Sequence, residues 1–139
     1  MSQDAGATLR AFLEEVWNRH DLAAFARHVD PGVRFHPPRG APRDFAGYRA
    51  MAEGFLAAFP DLHFDIQAIH AAGDVASARL VITGTNLGPF RGRAATGKRA
   101  RVVGQPQARV AEGRIVEFWQ LFDELGMLAQ LGHADPALL

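Results

Sequence analysis

The chain has 139 residues, 15 basic and 15 acidic side chains, a formal net charge of zero and no cysteine. That length suits one domain over 1–139, and 48% hydrophobic against 22% charged residues excludes wholesale disorder. Without cysteine there is no disulfide framework, thiolate nucleophile or cysteine-held metal site, the neutral balance argues against nucleic acid, and no apolar run reaches the ~18–20 residues of a membrane span.

The opening MSQDAGATLR carries an early acid and no apolar stretch, so it does not read as a secretory signal and a cytoplasmic protein is expected. Leu9, Phe12, Leu13, Val16 and Trp17 then follow the spacing of one buried helical face, with Arg10, Glu14 and Asn18 pointing elsewhere. Asp21 is placed to cap a short second helix with Leu22, Phe25, Ala26 and Val29 inward, ended by Pro31-Gly32. Val33 to His36 reads as a brief strand cut off by Pro37-Pro38. Asp44 caps the next helix, whose wide aromatic stripe of Phe45, Tyr48, Met51, Ala52, Phe55 and Phe59 is stopped by Pro60.

From there the period changes to two. Phe64, Ile66 and Ala68 alternate with Asp65 and Gln67, and Gly73-Asp74 makes a turn. Val75 to Thr85 is a long strand, Leu87 to Gly97 a glycine-rich connection and Lys98 to Val110 a second long strand. Glu112-Gly113 turns into a last strand, Ile115 to Phe122, and a short helix, Glu124 to Leu131, closes the chain. Helices first and then an antiparallel meander make an α+β fold. The stretch from Pro89 to Arg101 holds Arg91, Arg93, Lys98, Arg99 and Arg101 with no acid, for which a solvated loop is favoured over an anion site.

Phe59-Pro60-Asp61-Leu62, Thr83-Gly84-Thr85 with Gly88, Phe90 and Gly92, Thr96-Gly97-Lys98-Arg99, and the ending Glu112-Gly113-Arg114-Ile115-Val116-Glu117 with Trp119, Asp123, Leu125-Gly126 and Gln130-Leu131-Gly132 form an ordered series. Together with Trp17-Asn18 before Asp21-Leu22, the series resembles the SnoaL-like polyketide cyclases from about Leu9 to Gly132. The resemblance implies the cone of the NTF2-like superfamily, with N-terminal helices packed in a strongly curved, mainly antiparallel sheet around an apolar pocket. It also implies a homodimer through the outer face of that sheet. In activity it implies a cyclase or isomerase that works by acid/base chemistry on a small hydrophobic, polyketide-like carbonyl compound, with no cofactor. A non-catalytic module that binds a small hydrophobic molecule is the alternative, and a cone filled by its own side chains a third reading.

In such cyclases an aspartate just after the position of Trp119 serves as general acid/base; here that position is Gln120. An amide can donate to an enolate oxygen but cannot take a proton at neutral pH. Asp123 and His36 are the further catalytic candidates. Asp123 also reads as the cap of the last helix, and His36, which titrates near neutrality, also reads as a hydrogen-bonded rim residue. Trp17, Tyr48, Phe55, Phe59, Phe118 and Phe122 are the candidate ligand-binding aromatics, against the plainer reading of core.

Hairpin logic leaves two registers open. A three-residue loop with a bulge sets Ala111 opposite Ile115 and Pro106 opposite Gln120, while a two-residue loop sets Gln105 opposite Gln120. The first puts Gln120 inside with Phe118 and Phe122, and Trp119 and Leu121 on the outer, dimer-forming face. The histidines His20, His28, His63, His70 and His133 show no ligand spacing, so no metal site is expected. Ser2 and Ser77 sit in no nucleophile elbow.

Overall fold

The computed structural model describes residues 4–135 and 137; Ser2 and the outermost ends of the 1–139 domain lie outside them. Helix α1, Ala5–Phe12, starts where the Asp4 carboxylate accepts from the amides of Gly6 and Ala7. It continues without a break into a π-helical segment, Leu13–Asn18, whose wider turn is marked by the bond from Arg19 N to Glu14 O at 2.9 Å. Leu9, Phe12, Leu13, Val16 and Trp17 are all buried, as their spacing predicts.

Asp21 caps a single 3-10 turn, Leu22–Ala24, which runs into the short α2, Phe25–His28. Because the first turn is 3-10, the inward residue is Ala24, and Ala26 is turned out rather than in. Strand β1 spans Val29–His36, earlier than expected: Pro31-Gly32 sits inside it, at a register irregularity on an edge strand where a missing N–H is tolerated. Helix α3, Phe45–Ala58, begins at Asp44, whose carboxylate accepts from Gly47 N at 2.9 Å.

Strands β2, His63–Ala72, and β3, Val75–Thr85, pair antiparallel. A register shift at Gln67 breaks the expected alternation, so Ala68 lies opposite the exposed Arg79 and Ile69 packs on the core. The single long strand expected over Lys98 to Val110 is divided into β4, Arg99–Gly104, and β5, Gln107–Ala111. Pro106 has no N–H for a ladder and the chain bends there; its carbonyl still accepts from Ala78 N at 3.0 Å. The bend lets β3 hold β5 along its first residues and β4 along its last, opposite β2.

The last strand, β6, covers Arg114–Trp119 and stops short of Phe122, which makes only an isolated bridge to Gly104. Helix α4, Glu124–Gln130, closes the fold. The strand order β1-β6-β5-β3-β2, with β4 on β3, is a curved, unclosed sheet whose helices pack inside the curve. Its β1–β6 pair is parallel, which the antiparallel meander did not anticipate: the three reversals β2–β3, β3–β5 and β5–β6 leave β6 running opposite to β2 and in the same sense as β1.

The β5–β6 hairpin combines both expected registers. Its loop has two residues, Glu112 and Gly113, both at positive φ (52° and 78°), with Ala111 opposite Arg114. Between the pairs Val110–Ile115 and Arg109–Glu117, however, Val116 is an extra residue. That bulge restores the other register, Gln107 opposite Trp119 and Ala108 opposite Phe118, so Phe118 and Gln120 share the inner face and Glu117 and Trp119 the outer.

Aromatic side chains divide the interior into two parts. At the closed end Tyr48 stacks on Phe35 with centroids 3.9 Å apart and meets Phe12, Phe25 and Phe118. Toward the mouth Phe55 meets Phe59, Phe90 and Phe122. No described helix is long and apolar enough to cross a membrane.

Tyr48 is fully buried and its hydroxyl has no hydrogen-bonding partner among the described residues. Burial pushes that phenol well above its ordinary pKa. An unmet buried hydroxyl costs about 1–3 kcal/mol, so Tyr48→Phe is expected to stabilise the fold by about 1 kcal/mol, read as a raised urea midpoint at unchanged slope.

Candidate functional site

The site is built around Gln120, the residue that follows β6. Its N–H donates to the carbonyl of His36 at 2.9 Å, so the edge strand β1 fixes the backbone from which the amide projects inward. The amide lines a small inner pocket of about 30 Å³ with Trp17, Phe55, Phe59, Phe122, Thr83 and several aliphatic side chains. That volume holds about one water molecule. The inner chamber of the cone is therefore nearly filled by its own residues. Gln120 also lines a second gap, of about 10 Å³, with Phe118 and Pro106.

Trp17 reaches this pocket because the π-helical turn is pinned beside it. The Asn18 side chain accepts from Phe64 N at 2.7 Å and donates to Phe64 O at 2.9 Å. The Trp17 indole stacks on the Phe64 ring, centroids 5.1 Å apart and nearly parallel. Its Nε1–H is buried with no acceptor among the described residues. Gln120 brings an amide to the inner pocket, and no acid or histidine lines it.

Of the aromatic candidates, Trp17, Phe55, Phe59 and Phe122 line the inner pocket, whereas Tyr48 and Phe118 do not and belong to the packed closed end. The two ionisable candidates do not join Gln120. Asp123 is exposed and its Oδ1 accepts from Gly126 N at 2.9 Å, the capping arrangement. The His36 side chain lies on the outer face, 2.7 Å from Glu117 and stacked on Trp119 at 5.3 Å. Strand parity separates it from Gln120, since Phe35 takes the inward position and is fully buried.

A larger cavity, about 410 Å³, opens at the mouth of the cone. Phe55 and Phe122 stand in the walls of both spaces and partition them. Its polar residues, which the motifs did not single out, are Arg39, Arg43, Arg91 and Glu124. Arg39, from the loop after β1, and Arg91, from the loop after β3, each donate to a different oxygen of Glu124 at 2.8 Å. Burial pushes the Glu124 carboxyl up, but the two guanidiniums more than offset this and leave it below its ordinary value.

The basic stretch is exposed, as expected of a solvated loop, but two of its arginines are tied down: Arg91 meets α4, and Arg93 donates to His133 O at 2.7 Å. Asn86, fully buried, organises this loop by bonding Gly88 O, Thr96 and His133. Gly88 packs so closely that a Cβ there would lie 2.5 Å from Ala57 O. In the sequence the basic stretch pointed to Arg91 alone; Arg39 and Arg43 carried no signal, and the acidic anchor, Glu124, was hidden as an ordinary first-turn helix residue.

A carboxyl held below its ordinary value stabilises the fold above that value, 4.5 for glutamate, and the contribution is lost as pH falls through the lower folded value. Glu124→Gln is therefore expected to be less stable than the parent at neutral pH, with the gap closing on acidification. Urea titrations of both proteins across that range measure it.

Known proteins share this architecture. IdmH from Streptomyces antibioticus, a candidate polyketide cyclase, is 33% identical over 94% of this chain and 99% of that one, with a TM-score of 0.81. AclR from Streptomyces galilaeus, a candidate hydroxylase, is 28% identical over 95% of this chain and 85% of that one, with a TM-score of 0.82. A candidate SnoaL-like polyketide cyclase from Jannaschia sp. CCS1 has a TM-score of 0.86 over 97% of this chain and all of that one; at 20% identity it shows the fold alone. No curated protein matches the chain. The model of the SnoaL-like polyketide cyclases matches residues 7–131, nearly the whole of the curved sheet and its helices, and the chain belongs to that family.

Proposed function

We propose that the protein is a cofactor-independent cyclase or isomerase that acts on a small hydrophobic, polyketide-like carbonyl compound. The observation that carries this reading is the inward amide of Gln120 in a wall that is otherwise almost wholly apolar. A donor in a dry setting is what a developing enolate oxygen needs. The inner pocket is too small for a whole substrate, so the body of the ligand occupies the mouth cavity. Its carbonyl end reaches the Gln120 amide as the Phe55–Phe122 partition swings aside.

His36 then serves as a positioning residue, through the carbonyl that holds Gln120 N and not through its imidazole. Asp123 supports the site from the cap of α4, the helix that supplies Glu124 to the mouth and Met127 to the inner pocket. The proton itself is exchanged with solvent at the mouth, which suits a substrate whose C–H is acidified by two flanking carbonyls. A homodimer through the outer sheet face belongs to the same proposal, supported by Leu121 and Val103, 59% and 37% exposed beside Trp119 on that face.

The absence of any acid or histidine from the inner-pocket lining favours a second reading, a non-catalytic binding module for the same class of molecule. Incubation with a panel of polyketide-type β-keto esters, followed by liquid chromatography and mass spectrometry, separates the two. Turnover by the parent with a loss of about 10²-fold in kcat for Gln120→Ala, and little loss for Asp123→Asn, is the expected result. Saturable binding without product establishes the binding module, and turnover untouched by Gln120→Ala removes the amide from the chemistry.

A further inference from the structure

We propose that the cavity at the mouth of the cone binds the anionic end, carboxylate or phosphate, of an amphiphilic ligand, so that this protein selects an acid over the corresponding neutral ester. The inference rests on the reading that the cone takes a small hydrophobic carbonyl compound, and it adds the charge of that compound.

Three guanidiniums, those of Arg39, Arg43 and Arg91, face this space with one carboxylate. Glu124 is spent on Arg39 and Arg91, one oxygen to each, which leaves two positive charges uncompensated. Arg43 has no ion-pair partner among the described residues. Its backbone is nonetheless fixed, since its N–H and carbonyl both bond to Phe35, at 2.8 and 2.9 Å. A free guanidinium on a fixed backbone presents a planar pair of donors that matches a carboxylate or phosphate edge.

Arg91 is held in place by a tight turn. It sits at φ 51° in the tight Phe90–Arg93 turn, a left-handed conformation that side chains other than glycine adopt unfavourably. Its guanidinium lies 4.8 Å above the Phe90 ring. The left-handed conformation belongs to the two-residue turn itself, in which Gly92 also has a positive φ of 76°, and the turn carries the Arg91 guanidinium to Glu124.

The rest of the lining is apolar: Pro37, Pro38, Met51, Pro89, Phe90 and the partition rings. A volume of about 410 Å³ falls within the ~300–1,000 Å³ of small-molecule sites. Walls made of both apolar side chains and arginines fit a flat or folded hydrocarbon body that ends in a negative charge. A bare inorganic anion would leave those walls wet, and a neutral ester would leave Arg43 unpaired.

Titration calorimetry on the full chain tests this with three probes of one ring system: 2-naphthoate, 2-naphthyl phosphate and methyl 2-naphthoate. One or both anions are expected to bind about tenfold or more tighter than the ester, and the tighter of the two identifies the headgroup. Arg43→Gln is expected to weaken the anions about five- to tenfold and leave the ester unchanged, with Arg39→Gln as a second variant and the unfolding midpoint of each confirming an intact fold. Equal affinity for ester and anions, or an Arg43→Gln loss shared by all three, overturns the charge selection while leaving the hydrophobic-ligand reading standing. No binding of any probe overturns both.

Discussion

One extra residue decides what the interior of this protein can do. In the β5–β6 hairpin a two-residue turn by itself would place Ile115 and Glu117 on the same face and turn Gln120 out to solvent, because side chains alternate with a period of two. Val116 interrupts that count. Past it Glu117 points outward to Arg109 and His36, while Phe118 and Gln120 point inward. A carboxylate is thereby kept out of the apolar interior, where an unpaired charge would be costly, and an amide is admitted in its place. The closed-end packing of Phe118 and the polar point of the inner pocket both follow from that bulge.

The bend at Gln105-Pro106 is the second half of the same device. It divides one long strand into β4 and β5 and lets β3 hold both on one side. Curvature then puts the ends of β4 and β6 close enough for Gly104 to bridge Phe122, where a Cβ on Gly104 would meet Ile82 and Phe122 at 3.0 and 3.3 Å. The chain leaves the sheet at this corner, and its next residues are the cap and first turn of α4. Glu124 thus lands at the mouth as a consequence of where the sheet ends, between two loops that each bring it an arginine.

The result is a molecule with its polarity sorted by depth. The closed end is a packed cluster of rings in which the Tyr48 hydroxyl is a polar intruder without a partner. Next comes a space for about one water, with the Gln120 amide in its wall. Outermost is a roomy, cationic vestibule. A hydrophobic molecule with a carbonyl at one end and a charge at the other matches this gradient, and the family to which the chain belongs handles polyketide-type compounds. The amide of Gln120 in that inner wall can donate a hydrogen bond but cannot take a proton at neutral pH.

Much of this was legible in the residues. The buried stripe from Leu9 to Trp17, the aspartate caps at 21, 44 and 123, the exact span of β3 and the change from helical to strand periodicity all stand in the structure, because each depends on neighbours in the chain. The ordered motif series carried the family. What local pattern could not supply were the features made by residues far apart in sequence: the bulges at Gln67 and Val116, which reset which side chains face inward, the parallel pairing of β1 with β6, and the meeting of Arg39 and Arg91 on Glu124. The sequence by itself determined the elements and the kin of this protein, since periodicity, caps and turns are written over a few residues. Only the tertiary structure decided which polar groups share a cavity, because strand parity can be reversed by one unpaired residue and a binding site is assembled from loop ends that meet only when the sheet curves.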